Sequence, residues 1–529
     1  MAYHTMLFLL VFLPLILICY QIAGTKYRPY VLLAAGYIFF ASFSGILLLY
    51  LLGATVIMYA AGLWIDHIGQ EFKEKKNGLA RSEVKQLKKK FTGKKRAVLC
   101  GSLVLLVGVL FIVKYYNFFA ENLSAVFRLL TLPICLKSIR FLQPIGISFY
   151  TLQAVSYVVD IYEGKNRAER QFGKVALYMA FFPQIMEGPI SRFDQTADQL
   201  WKGTAISSEN LTMGAQRVLW GLFKKIVIAD RLDRAVGVAF LNYQSYDGAI
   251  LALAAVAYTV QLYNEFSGCM DIVIGVAEMF GVVLPENFRP PFLSKNVSEF
   301  WRRWHITLGA WLKDYIFYPV SLTGWVQKLG TRAKARFGKH GAKVAVSAAA
   351  LFPVWLLNGL WHGQHWNYIF FGMYYFILIM AGILCEPLIA LFYEKCGRLV
   401  KSKGYAVFQI VRTSVLVVIG EMIFRANGAK AAIVMLKTVF GHSHMTALGQ
   451  MDLPSFGIDR ADIAIVLCGV ILVTVVGLLH ERGISIRRKI ATLSTPARWC
   501  CYYVMILLPL IFGAFGDGYL EVELIYANF

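Results

Sequence analysis

The sequence predicts an all-α, polytopic integral membrane protein, and three observations carry that prediction. Of 529 residues, 58% are hydrophobic and only 16% are charged, against roughly 25% in ordinary globular chains; the mean hydropathy is +0.58. Apolar runs long enough to cross a bilayer recur from one end to the other. The period-2 alternation expected of a membrane β-barrel is absent. About eleven to twelve spans are expected, with re-entrant or interfacial helices among them. They form a single membrane domain over 1–529, divided into N-terminal helices (1–140), a motif-bearing core (141–395) and C-terminal helices (396–529).

The net charge of +22 does not point to nucleic acid. The basic residues gather in a few stretches between apolar runs, the positive-inside pattern that sets orientation in a membrane. The largest lies within 70–96, where Lys73 to Arg96 holds eleven Lys or Arg against two Glu. Part of it is spaced as a surface helix. A second basic stretch, Lys328 to Lys343, contains no acid and is expected to be a cytoplasmic loop. Nine scattered cysteines with no C-x-x-C pair indicate neither a disulfide framework nor a zinc site.

Taken in order, Met6–Ile22 is followed rather than preceded by basic residues, so it is expected to be a retained first span with its N-terminus outside. Val31–Leu52 and Ala54–Ile65 are the next two, with a turn at Gly53, and Val98–Val113 and Ile145–Ile161 follow the basic stretch as an outward and a returning span. The segment FFPQIMEGPISRF carries Pro183, Glu187, Gly188, Pro189 and Arg192 where breaks are tolerated only inside protein. A re-entrant or broken helix is expected there. Arg217–Arg234 mixes charge with apolar residues and is expected to be interfacial. Ala249–Tyr263 and Ile272–Leu284 are separate spans flanking NEFSGCMD. Val344–Leu360 and Tyr368–Phe392 form a pair with His362 near its outer end. Val407–Phe424, Ile463–Leu479 and Tyr503–Phe515 complete the spans, with a short interfacial Ala431–Phe440.

Ionisable groups among membrane segments are costly and mark function by default, which singles out Pro285 to Trp366. In SEFWRRWHITLGAWLKDYIF, a helix capped by Ser298 would place Trp301, Trp304, His305, Leu308, Trp311 and Leu312 on one face. In GLWHGQHW, Gly359 and Gly363 flank Trp361-His362, so a break there would turn the imidazole towards a cavity. Histidine takes up a proton near neutral pH and suits a general base. His362 and His365 lack the carboxylate that would complete a metal site. No G-x-S-x-G elbow or phosphate loop is present. The residues alone fit an acyl or glycosyl transferase, or a transporter with both histidines lining its path.

FWRRWHITLGAWLKDYIFYP and NGLWHG resemble the two signature regions of the membrane-bound O-acyltransferase family, especially its bacterial alginate O-acetyltransferase-like branch, related to the teichoic-acid D-alanyl transfer protein. PIGISFYTLQAVSYVVDIY, FFPQIMEGPISRF and NEFSGCMDIVIGVAEMFGVVLPENFRPPF agree. The chain departs from that pattern at Glu265, where the branch often has Asp, and in YPVSLTG, which lacks a Gly-Gly. The resemblance implies a multi-helix fold around a transmembrane tunnel, in the cell membrane. It implies His362 as the catalytic base and His305 as the second motif histidine, with Trp301, Arg303, Trp304, Trp361, Asn287 and Glu187 as candidate lining residues. No bound cofactor is implied. The donor would be a cytoplasmic thioester, acetyl-CoA, and the acceptor an extracytoplasmic polysaccharide. An extracytoplasmic esterase-like acetyltransferase would be the partner protein. D-alanyl transfer from a carrier protein is the alternative within the family.

Overall fold

Apolar runs in hydrocarbon must satisfy their backbone groups within each segment, which leaves the helix as the repeating solution. The computed structural model describes residues 2–515, and helices are the regular secondary structure among them. Eight helical segments among these residues are long and apolar enough to cross a membrane. The other expected spans fold as shorter or composite helices.

The chain divides into two compact units. One comprises the described residues up to Ala215 together with Val273–Pro285; the other comprises Gln216–Ile272 and the described residues from Glu286 onward. The first unit holds α1 (Leu13–Ile22), α2 (Arg28–Ser44), α3 (Leu48–Lys75), α4 (Arg81–Leu110), α5 (Tyr116–Leu129), α6 (Ile147–Glu163), α7 (Phe172–Ala180) and α8 (Phe193–Lys202). Helices α3, α4 and α6 pack together, and α2 lies against α7. The turn before α3 falls at Gly45, with φ +51, and not at Gly53, which lies inside the helix. Only a residue without Cβ adopts that backbone readily. Most of the basic stretch after Lys73 is helical, because α3 and α4 extend beyond their apolar parts and leave a short connection between them.

Residues 181–192 are irregular, as the proline and glycine content predicts, and 181–191 are buried throughout. Their polar groups are met inside the unit. Tyr3 Oη donates to Phe182 O at 2.8 Å, Tyr178 Oη to Ser191 O at 2.8 Å, and Ser191 Oγ to Gln184 Oε1 at 3.1 Å. Glu187 belongs to this segment and is buried.

Two expectations fail for one physical reason. α9 (Ser208–Leu222), a π-helical stretch (Phe223–Ala229) and α10 (Asp230–Leu241) are not an interfacial helix, since Lys224, Lys225 and Arg231 are buried. NEFSGCMD does not separate two spans but lies inside one 32-residue helix, α11 (Gly248–Met279). The polar residues of each element satisfy the other's. Lys225 pairs with Asp230 at 2.6 Å and Glu265 at 3.4 Å; Lys224 pairs with Asp271 and donates to Ser267 Oγ at 3.0 Å. Arg217 bridges Asp271 at 3.0 Å and Glu286 at 2.6 Å. Internal pairing removes the need for either element to reach water.

The remaining helices of the second unit are α12 (Val297–Arg303), α13 (Ile306–Leu312), α14 (Tyr318–Ser321), α15 (Gly324–His362), α16 (Trp366–Leu384), α17 (Glu386–Lys395), α18 (Gly397–Val400), α19 (Lys403–Arg425), α20 (Ala429–Gly441), α21 (Met445–Gly449), α22 (Arg460–Glu481), α23 (Ile486–Ala491) and α24 (Thr495–Phe512). The basic stretch 328–343 is helical rather than a loop, forming the first part of α15, which turns at Gly338 (φ +70). Helices α15 and α16 pack closely: a Cβ on Gly359 would meet the Tyr368 backbone, and one on Gly372 the Trp355 backbone. Arg231 joins α10 to α22 through Asp462 and donates to Phe512 O at 2.6 Å. Breaking such a buried pair on one side costs about 3–5 kcal/mol. Arg231→Met should therefore lower the melting temperature in detergent, and adding Asp462→Leu should recover much of the loss.

Candidate active site

The segment around His305 is not the continuous helix its periodicity predicts. α12 ends at Arg303, Trp304 is extended, and His305 itself is left-handed at φ +46, ψ +52 before α13 begins. A non-glycine residue in that region is strained and is held there by its surroundings. The start of α12 is capped by Asn296 rather than Ser298: its Oδ1 accepts from Glu299 N at 2.8 Å. Glu299 in turn accepts from Lys295 N at 3.0 Å.

What holds His305 in place is Asn287, in the extended stretch before the two prolines. Ile306 N donates to Asn287 O at 2.9 Å, and Arg289 N to Arg303 O at 2.9 Å, so the two stretches lie side by side. Asn287 Oδ1 accepts from Thr307 N at 3.1 Å and Thr307 Oγ1 at 2.9 Å, and lies 3.2 Å from His305 Nδ1. The Thr307 N–H must donate, which fixes the atom facing it as oxygen. His305 Nδ1 therefore carries its proton, and the basic lone pair sits on Nε2. The Phe266 ring meets the His305 ring edge-on at 4.8 Å.

His362 is the last residue of α15, at the Gly363 break that the sequence predicts. Aromatic rings box it: Trp361 at 4.9 Å, Phe424 at 5.0 Å and Phe371 at 5.7 Å. Trp361 also meets the His305 ring at 5.4 Å, so one indole contacts both histidines. A cavity of about 440 Å³ lies beside them, with His305 and His362 both in its wall. That volume accommodates a small-molecule ligand. Apolar and aromatic side chains make up most of the lining, including Trp301, Trp304, Trp311's neighbour Leu312, Val354 and Trp355. Arg302 and Lys313 line it too and are exposed.

Of the sequence candidates, Trp301, Trp304, His305 and His362 come together on this cavity. Asn287, Trp361 and Arg303 do not line it. Asn287 and Trp361 support the histidines from behind, and Arg303 is tied to Glu299 at 3.0 Å and Glu481 at 2.9 Å. Glu187 lies in the other unit and is no part of this wall. Asn358, buried in the lining one helical turn before His362, was missed by sequence reasoning. A polar residue four positions before the histidine in an otherwise apolar run was the available signal. Replacing Asn287 by Leu removes the acceptor of buried donors, each worth about 1–3 kcal/mol when stranded. Asn287→Leu should lower the melting temperature, whereas Asn287→Asp, which keeps the acceptors, should melt closer to the parent.

Comparison with known proteins fits this geometry. Residues 163–398 match the model of MBOAT, the membrane-bound O-acyltransferase family. The chain is 34% identical to the probable alginate O-acetylase AlgI of Pseudomonas syringae pv. tomato, over 82% of its own length and 74% of the relative's. It is 28% identical to the peptidoglycan O-acetyltransferase of Helicobacter pylori, over 53% of this chain and 54% of that one. The teichoic acid D-alanyltransferase of Bacillus subtilis is 28% identical over 44% of this chain and 58% of that one. With membrane-length helices throughout and two histidines on one apolar cavity, the chain is a multi-pass acyltransferase of the O-acetyltransferase type and belongs to the membrane-bound O-acyltransferase family.

Proposed function

We propose that this protein takes an acetyl group from a cytoplasmic thioester, acetyl-CoA, and delivers it across the cell membrane for O-acetylation of an extracytoplasmic polysaccharide, with His362 as general base. The observation that carries this reading is the shared cavity, which holds both histidines in a wall otherwise dominated by apolar residues. The AlgI-type relatives, matched over most of the chain, favour a polysaccharide acceptor. The match to the D-alanyltransferase covers less of either chain.

Charge sets the sidedness. Lys328, Arg332, Lys334, Arg336, Lys339 and Lys343 crowd the first part of α15, which the positive-inside rule assigns to the cytoplasm. The nineteen residue steps from Lys343 to His362 span ~28 Å of helix, close to the hydrocarbon thickness of ~30 Å. His362 then lies towards the outer face, where the acceptor arrives, and the N-terminus of the chain is extracytoplasmic. Arg302 and Lys313 suit the phosphate-bearing part of the donor at the cavity mouth.

In this mechanism an acceptor hydroxyl gives its proton to the His362 imidazole while its oxygen bonds to the thioester carbonyl carbon. Collapse of the tetrahedral intermediate breaks the C–S bond, and the departing thiolate takes the proton back. His305, oriented through Nδ1 by Asn287, offers its Nε2 side to the site and positions the reacting groups. The hydroxyl belongs to the polysaccharide or to the serine of an extracytoplasmic esterase-like partner that passes the acetyl group on.

His362→Ala should insert and melt as the parent does but lose transfer of radiolabelled acetyl from acetyl-CoA by at least ~10²-fold, the scale of a general-base contribution. Full acetylation by that variant would remove His362 from the chemistry. Transfer of D-alanine from a carrier protein, with none of acetyl, would replace the acetyl reading by its alternative.

A further inference from the structure

Within the cavity wall the polar residues fall into two sets. Ser298, Arg302 and Lys313 are exposed, whereas His305, Asn358 and His362 are buried. The two histidines are accounted for above, but Asn358 is not. It is 5% exposed, and its Oδ1 has no hydrogen-bond partner among the described residues. A buried carboxamide oxygen left unpaired is costly, and native structures retain few of them. No packing argument explains its retention, since leucine would fill the same wall without the cost.

Its position indicates what would pair with it. Leu351, Val354, Trp355, Asn358 and His362 all line the cavity from α15, at the three- and four-residue spacing of a single helix face. Asn358 lies one turn before His362, ~6 Å back along the axis, on the side from which the proposed donor arrives. A thioester carbonyl brought up to His362 from within the cavity therefore passes Asn358 before the acceptor is reached. With no partner fixing its oxygen, the carboxamide can turn either end to a ligand.

We infer that Asn358 is the oxyanion donor of the transfer, presenting its Nδ2–H to the carbonyl oxygen of the acyl thioester; this rests on the reading of His362 as base. As the acceptor oxygen bonds to the carbonyl carbon and its proton passes to His362, the C=O π pair moves onto oxygen. The Asn358 N–H holds that negative charge. When the C=O bond re-forms, the C–S bond breaks and the thiolate leaves with the proton from His362. Charge developing in an apolar, water-poor wall is where a fixed donor has most effect.

The test compares the full-length protein with Asn358→Leu, Asn358→Asp and His362→Ala in proteoliposomes, using acetyl-CoA and measuring kcat, KM and melting temperature. Loss of an oxyanion donor typically lowers kcat by ~10²–10³-fold. Asn358→Leu and Asn358→Asp should show that fall, with KM for acetyl-CoA changed little, and the Leu variant should melt at or above the parent temperature. A kcat within about threefold of the parent would be too small for such a donor and overturns the inference. So does a Leu variant that melts lower, since Asn358 would then serve packing. If Asn358→Leu stays active while His362→Ala is dead, the oxyanion assignment falls and the base survives. Activity in both removes both.

Discussion

A polar group in a hydrocarbon environment must find its partner inside the protein, because neither lipid nor a remote aqueous phase can supply one. The second unit is built on that constraint. Lys224, Lys225 and Arg217 would each be prohibitive alone, and so would Glu265 and Asp271. Placed on facing elements, they let α11 run unbroken through a polar stretch and let the helix before it stay buried. Such pairs add little net stability over an apolar replacement. They fix which faces meet, because a displaced helix would strand every charge at once.

The same rule sets the histidine segment. Asn287 gathers two groups of Thr307 and the His305 ring onto one oxygen, while the backbone of His305 is held in a left-handed conformation. Strain of this kind persists where the surroundings over-determine it. The outcome is an imidazole with a defined tautomer, placed against the same indole that touches His362. Against this background of internal pairing, Asn358 is one of several buried amides whose oxygen has no partner among the described residues, and it lies in the wall of the histidine cavity.

Much of this was legible in the sequence. Hydropathy gave the class, the glycines around Trp361-His362 marked the end of α15, and the prolines near Glu187 marked a break inside protein. Errors arose wherever tertiary pairing overrode local pattern. NEFSGCMD looked like a gap between spans because its partners, Lys224, Lys225 and Arg217, lie some forty to fifty residues away in sequence. The helix expected through His305 was read from spacing, and spacing cannot register a competing acceptor at Asn287. The Ser298 cap failed by two positions for a related reason: both Asn296 and Ser298 are capable caps, and the approach of the preceding chain decided between them.

The central claim is that one cavity brings the acyl donor to His362. A structure of the protein with a hydrolysis-resistant acetyl-CoA analogue tests it most directly. The account predicts the acyl carbonyl beside His362 and Asn358, with the phosphate-bearing end near Arg302 and Lys313. An analogue bound elsewhere, leaving this cavity empty, would contradict it.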